Sequence, residues 1–386
     1  MGLNLSDTYD IKDRIFSFML ALVPGVGDVT ISSLLEVFGT PKEIFKADRK
    51  TLEGVKGVTK KKTAEIIKYR EKTKETRAKV DAWDKSGIKA AFIFEDTYPD
   101  ALKNLADAPF AIFYKGQLPL DTAPTVAIVG ARGCSDYGKN VAFSLGRQLA
   151  LEGVQIVSGM AAGTDHYGHK GALAGGGYTA GVLGCGVDIC YPRSNINTYF
   201  EMQKTGCVMS EVLPGTDPFP GLFPRRNRLI AALSDAVIIV EARERSGSLI
   251  TADQALEQGK DVFAVPGRIG DPLSRGCLTL IKQGAVPLTC LNDVLECEGI
   301  KMKTRQKGKK KNCDPEVITD SKKITHCGDD SDKKVLRSLT DIPKNINRIM
   351  YETGLSYESA AQAIINLELE GMLRSISAGL YVRAFA

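Results

Sequence analysis

The sequence lacks a long apolar run. The first candidate, "IFSFMLALVPGVG", is broken by Pro24 far short of the ~20 residues a span requires, and it follows Asp7, Asp10 and Asp13 instead of a basic leader. Neither a membrane helix nor a signal peptide is expected. The nine cysteines are an odd number with no Cys-x-x-Cys among them, which argues against a disulfide framework or zinc knuckle and for a reducing cytoplasm. No Gly-x-x-x-x-Gly-Lys-Ser/Thr occurs, so no P-loop site is expected. In "GARGCSDYG" (130 to 138), Arg132 stands where a dinucleotide motif wants its second glycine. No cofactor is predicted. Histidine is scarce, three in the chain, two of them in "DHYGH" (165 to 169). Without a third convergent ligand no metal is predicted, and His169 reads as a packing or hydrogen-bonding residue.

What is present is ordinary in amount and uneven in placement. The 386 residues, 43% hydrophobic and 25% charged, suit a soluble chain of roughly two or three domains. The net charge of +5 is concentrated in "KMKTRQKGKKK" (301 to 311), whose seven Lys and Arg leave the rest of the chain at −2. A nucleic-acid site on the folded parts must therefore be a local patch.

From residue 124, "TVAIVGA", "VQIVSG", "YTAGVLG", "DAVIIVEA" and "DVFAVPG" are short apolar runs ending at Gly or a small residue, the mark of buried parallel strands. Helical stretches lie between them. In one, Val141, Leu145 and Leu149 recur every four residues before Gly153. The alternation predicts an α/β fold, a Rossmann-like doubly wound and mostly parallel sheet, in an extended domain over 81–300. Before it, residues 1–80 carry "LVPGVGDVTISSLL" and "LEGVKGVTKKKTAEII". They read either as two helix-hairpin-helix copies, with phosphate-binding amides at Gly25 and Gly27, or as plain glycine turns between helices. The second copy has Thr59 in place of the last glycine. After it come a basic, polar linker (301–332) and a winged-helix-like domain (333–386). In that last domain Tyr357, Ala360, Ala361, Ile364 and Leu367 share a helical face, and a hairpin turns at Ser377 to Gly379.

In a parallel sheet, ligands meet the loops beyond the strands' carboxyl ends. Those loops hold Gly130, Ala131 and Arg132, then Ser158 and Gly159, then Ser246, Gly247 and Ser248 at a helix start. "FPRRNR" places Phe223, Arg225, Arg226, Asn227 and Arg228 ahead of the strand "DAVIIVEA", near the same rim. Unpaired, Arg225, Arg226 and Arg228 would form a basic platform beside Phe223 for a single strand; paired with acids, they would brace the fold. Glu241 is the one acid at a strand end where catalysis is conceivable, and such an acid also serves to cap a helix.

The stretches "VAIVGAR", "VSGMAAGTD", "GHKGAL", "VLGCGVDICYP", "FPRRNRLIAALSDAVIIVEA" and "SGSLITADQALEQGKDVFAVPG" closely resemble the DNA-processing protein A (DprA/Smf) family, and the flanking regions are similar to that family's flanking domains. The resemblance implies a non-catalytic cytoplasmic protein that binds and protects single-stranded DNA in natural transformation. It also implies loading of RecA recombinase and a homodimer. By motif, the family's DNA contacts fall on Gly130, Ala131, Arg132, Ser158, Gly159, Phe223, Arg225, Arg226, Asn227 and Arg228. Thr164 and Leu278 depart from the usual Ile and Asn.

Two other functions compete with binding. One is a phosphoribohydrolase-like enzyme, although its Pro-Gly-Gly-x-Gly-Thr segment is absent. The other is an adaptor whose near-neutral C-terminal domain recruits partners.

Overall fold

A computed structural model describes residues 13–306, 330–339, 343–369, 372–377 and 379–383. The chain divides into two compact units, Met1–Lys309 and Lys310–Ala386. The first is organised on a sheet of β1 (Lys89–Phe92), β2 (Ala111–Gly116), β3 (Thr125–Val129), β4 (Gln155–Ser158), β5 (Thr179–Val182), β6 (Cys207–Ser210), β7 (Ala236–Ile239), β8 (Asp261–Ala264) and β9 (Val286–Pro287). Their order is β1-β2-β6-β5-β4-β3-β7-β8-β9. From β6 to β9 all pairings are parallel, and β2 and β1 join antiparallel at one edge. Chain order reverses between β3 and β7, so the crevice for a ligand opens there.

The expected strand runs form β3, β4, β5, β7 and β8. Each is short and buried, and alternation divides the side chains between two layers. Ala127 and Val129 of β3 pack with Leu229 to Leu233, whereas Val126 and Ile128 pack with Ala142, Leu145 and Leu149. The helices supplying those layers include α8 (Asp136–Leu151), α9 (Thr164–Ala174), α10 (Ile196–Thr205), α11 (Leu222–Leu233) and α12 (Gly247–Glu257). Before them comes α7 (Asp100–Lys103), and after them α13 (Arg275–Lys282), α14 (Leu291–Leu295) and α15 (Glu298–Gln306). Gly153, at φ +77, follows α8 as expected.

Ahead of the sheet lie α1 (Arg14–Leu22), α2 (Asp28–Phe38), α3 (Pro41–Lys46), α4 (Arg49–Glu53), α5 (Lys60–Tyr69) and α6 (Thr73–Lys85). Two hairpins repeat the same construction. Val26 N–H bonds Val23 C=O and Val58 N–H bonds Val55 C=O, around Gly25 and Gly57 at positive φ. These valines are buried. Thr59 caps α5 by accepting the Lys62 N–H at 3.3 Å, so it replaces the glycine with a side-chain cap. The Lys62 ammonium bonds Thr30 Oγ1 and Gly57 C=O, tying one hairpin to the other. These helices share one apolar cluster with Phe92, Phe110 and Phe113 of the antiparallel edge.

The second unit has α16 (Asp330–Ser338), α17 (Ile346–Thr353) and α18 (Tyr357–Leu369). They pack on β10 (Lys344–Asn345), β11 (Leu373–Ser377) and β12 (Leu380–Arg383), paired antiparallel in the order β10-β12-β11, as in a winged helix. On α18 the buried face is Ala360, Ala363, Ile364 and Leu367; of the expected face, Tyr357 is exposed and Ala361 only half-buried, so the face is turned slightly from the one expected. Part of the basic tract, through Gln306, is helical. The rest of the tract and the hairpin-turn residue Ala378 lie outside the described residues.

Candidate nucleic-acid interface

The loop after β3 is fixed from below. A Cβ on Gly130 would stand 2.6 Å from Thr164 Oγ1, so only glycine lets β7 and α9 close on it. Thr164 Oγ1 donates to Ala131 C=O at 3.3 Å, a bond that an isoleucine there could not make. Ser135 caps α8, and its N–H and Oγ donate to Glu241 at 2.8 and 2.5 Å. Glu241 is buried. Its carboxylate is therefore spent orienting Ser135, which is itself the cap, and neither holds an arginine nor caps a helix directly. Out of this clamped loop Arg132 projects into solvent.

The loop after β4 is closed more tightly than the sequence suggests. Ser158 Oγ is buried and donates to Ile128 C=O at 2.6 Å. The N–H groups of Gly159 and Ala161 donate to buried Asp165 at 3.0 and 3.3 Å. Ser158 and Gly159 thus offer no open amide to a ligand. Met160, between Gly159 and Ala161, holds φ +60 with its side chain fully buried, a sparsely populated backbone state that the surrounding bonds impose.

The arginines correct the expectation of an exposed platform. "FPRRNR" opens α11, so Arg225 and Arg228, three apart, share one face and Arg226 points elsewhere. Arg226 is 4% exposed and donates to the carbonyls of Gly159 and Val182 at the ends of β4 and β5. Arg228, 7% exposed, is ion-paired with Glu211 and, at 2.9 Å, with Asp107. Arg225 remains half exposed and pairs with Asp28 at 2.9 Å and Glu211 at 3.2 Å. The cause is Glu211, whose side chain is almost wholly buried; a carboxylate taken from water must find cations, and these two supply them. Burial still pushes the Glu211 pKa up, with Arg228 and then Arg225 opposing it. Burial likewise raises Asp165, opposed by Arg226, and lowers the Arg226 pKa to about 10, which leaves that guanidinium charged at neutral pH. Asn227 is inward as well, donating to Gly247 C=O at 3.2 Å.

From "FPRRNR" the cleft receives Phe223. Its ring lies against Gly184, where a Cβ would come within 2.8 Å. The Arg132 guanidinium sits 5.4 Å from the Phe223 centroid, and the Tyr191 ring lies 5.5 Å away at 33°. On the opposite wall Ser246 caps α12, accepting the Ser248 N–H at 3.4 Å, and exposed Arg245 precedes it. No acid occupies the first turn of α12, so the positive end of its dipole is uncancelled. These parts enclose about 440 Å³ at the β3/β7 reversal, lined by Gly130, Arg132, Tyr191, Phe223, Arg245 and Ser246 among others. Neither Arg132 nor Arg245 has an acidic partner among the described residues. Tyr191 and Arg245 escaped the sequence reading although both stand in strand-end loops. Leu278 lies on α13, away from the cleft lining.

His169 is buried with Nδ1 2.7 Å from Thr179 Oγ1, and burial, with His166 and Arg226, holds its pKa down to about 3. It is the packing residue expected. Among the described residues, no group of three or more His, Cys, Asp or Glu is placed to hold a metal, and no helix is long and apolar enough to cross a membrane.

A doubly wound sheet with its crevice lined by arginine and aromatic rings, preceded by paired helical hairpins, defines a Rossmann-like α/β protein with a rim suited to an anionic ligand. The chain belongs to the DNA recombination-mediator protein A family, whose sequence pattern matches residues 89–299, over half of the chain. Residues 16–71 match the SAM-like helix-hairpin-helix tandem, which decides between the two readings of the hairpins. Over 203 residues the chain is 46% identical to DNA processing protein DprA of Streptococcus pneumoniae, covering 53% of this chain and 72% of that one. It is 30% identical to protein Smf of Synechocystis over 91% of this chain and 94% of the relative. The solved S. pneumoniae structure superposes with TM-score 0.59 at 34% identity, covering 76% of this chain and 98% of that one. DNA processing protein A of Helicobacter pylori, solved for its single-stranded DNA binding mode, gives TM-score 0.50 at 33% identity, covering 54% and 94%.

Proposed function

We propose that the β3/β7 cleft binds single-stranded DNA without making or breaking a bond, and that the protein protects such strands in the cytoplasm and delivers them to RecA recombinase. The observation that carries this reading is the unpaired Arg132 guanidinium above the Phe223 ring. A phosphate requires an unspent cation, an unpaired base requires an aromatic face, and the two stand side by side. Arg245 and the start of α12 at Ser246 to Ser248 supply a second phosphate position, while Gly130 and Ala131 let a backbone approach. Arg225 contributes from the margin, and Arg226, Asn227 and Arg228 act by holding α11 in place. The H. pylori relative's single-stranded DNA binding supports the reading. Family resemblance further supports a homodimer and a role in natural transformation. Equilibrium binding of labelled oligothymidine against a duplex of equal length tests the proposal. Preference for the single strand, abolished by Arg132→Ala, is expected; equal affinity for both would refute it. For delivery, removal of residues 330–386 tests whether the C-terminal unit recruits the recombinase. Retained DNA binding with lost RecA loading is the outcome that assigns it the adaptor role.

A further inference from the structure

From the edge of the cleft, the described surface carries a row of exposed side chains running onto α10. Tyr191, 43% exposed, forms the cleft's aromatic edge. Two positions on, Arg193 is exposed and has no acidic partner among the described residues. Then comes α10, where Ile196, Phe200 and Lys204 stand four apart and so share one face; Arg193 is in the short 3-10 turn Arg193–Asn195 that leads into it. Ile196 is 39% and Phe200 56% exposed, and Lys204 is exposed without an acidic partner among the described residues. The start of this helix is joined to the cleft wall. Buried Asn195 donates to the carbonyls of Met160 and Ala161, at 3.0 and 3.2 Å, and Ala161 lines the cleft. A single exposed ring would need no explanation; here Phe200 is flanked on one helical face by Ile196 and Lys204, and that face adjoins the cleft's edge.

We infer that this face of α10 is a second strand-binding surface, continuing the path of a single strand that leaves the cleft past Tyr191; the inference rests on the cleft's proposed function. Arg193 and Lys204, about 16 Å apart along the helix, would meet phosphates on either side of a short stretch of strand, with a base against Phe200 and sugar edges against Ile196. The alternation of cation, apolar group, ring and cation suits a strand whose bases are unpaired, because a duplex would hide the faces that the ring requires.

The test uses the full-length protein and labelled oligothymidines of about six and about twenty nucleotides, the shorter filling only the cleft. Phe200→Ala and the double variant Arg193→Ala/Lys204→Ala are each expected to weaken the longer strand about tenfold while leaving the shorter within about twofold. Arg132→Ala should weaken both lengths. If Arg132→Ala weakens both and the α10 variants change neither, the second surface is refuted and the cleft stands. If Arg132→Ala changes neither length, the cleft reading fails and this inference with it. Sedimentation showing that Phe200→Ala turns a dimer into a monomer would instead make this face a contact between copies and overturn the inference.

Discussion

Arg132, in the loop after β3, and Phe223, in the first turn of α11, reach each other across 91 positions, and the guanidinium comes to rest 5.4 Å from the ring centroid with no carboxylate partner among the described residues. The pair leaves one face of Phe223 to be shared among the cation, Tyr191 and whatever enters the cleft. Phe223→Ala should therefore weaken oligothymidine binding by ~1–3 kcal/mol, the range for one base-stacking ring. Phe223→Tyr should restore most of the loss. Isothermal titration of both variants checks this, and equal affinity of Phe223→Ala and wild type would exclude stacking there.

Arg228 predicts a different failure from Arg132. Its removal leaves buried Glu211 short of a cation, a situation that costs about 3–5 kcal/mol in buried pairs. We expect Arg228→Ala to lower the melting temperature by several degrees, and Arg132→Ala to leave it within about a degree. Thermal scans that ranked the two the other way would mean that Arg228, not Arg132, is the free cation.

Glu241 separates binding from catalysis. Because Glu241 accepts two bonds from the capping Ser135, Glu241→Ala should destabilise the start of α8 by about 1–3 kcal/mol, the usual loss for hydrogen bonds to a buried charged group. No nucleobase should be released from nucleoside monophosphates by either form. Base release by the wild type, lost in Glu241→Ala, would revive the phosphoribohydrolase reading.

His169 sets a pH dependence. Its folded pKa of about 3 lies below the usual 6.5, so the unfolded chain takes up a proton through the interval between them that the folded chain refuses. Its contribution is thus absent above about pH 6.5 and becomes progressively destabilising as pH falls, amounting to about 2 kcal/mol at pH 5. Asp165 works in the opposite direction. With its pKa raised by burial, it binds a proton in the folded state before the unfolded, and so regains stability in acid. Denaturation at pH 7 and pH 5, for wild type and His169→Gln, isolates the histidine. The variant should lose less stability across that interval, and an equal loss would show that His169 does not titrate in this way.

The parallel core was legible because burial on both faces forces continuous apolar runs, and each run ended at a glycine or another small residue at the rim. The outer strands β1 and β2 gave no such signal; Lys89 is exposed, and the end of β2 at Gly116 is only partly covered. The rim was legible as a place and less so as a set of partners. Charge density in "FPRRNR" is visible in sequence, but burial is not. The acids that consume it lie elsewhere, Glu211 14 and 17 positions from Arg225 and Arg228, and Asp28 197 positions from Arg225. Ser158 and Gly159 were correctly placed at a strand end, yet Asp165, which takes the Gly159 amide, turns back from the first turn of α9 in a way that only the fold reveals.

The central claim is that free cations at the sheet's rim hold a strand by its phosphates. Oligothymidine affinity measured across a salt series, for wild type, Arg132→Ala and Arg132→Ala/Arg245→Ala, tests it most directly. Each lost phosphate contact should make the slope of log affinity against log salt shallower by about 0.7, so the double variant should fall about 1.4 below wild type. Slopes identical in all three proteins would contradict the account.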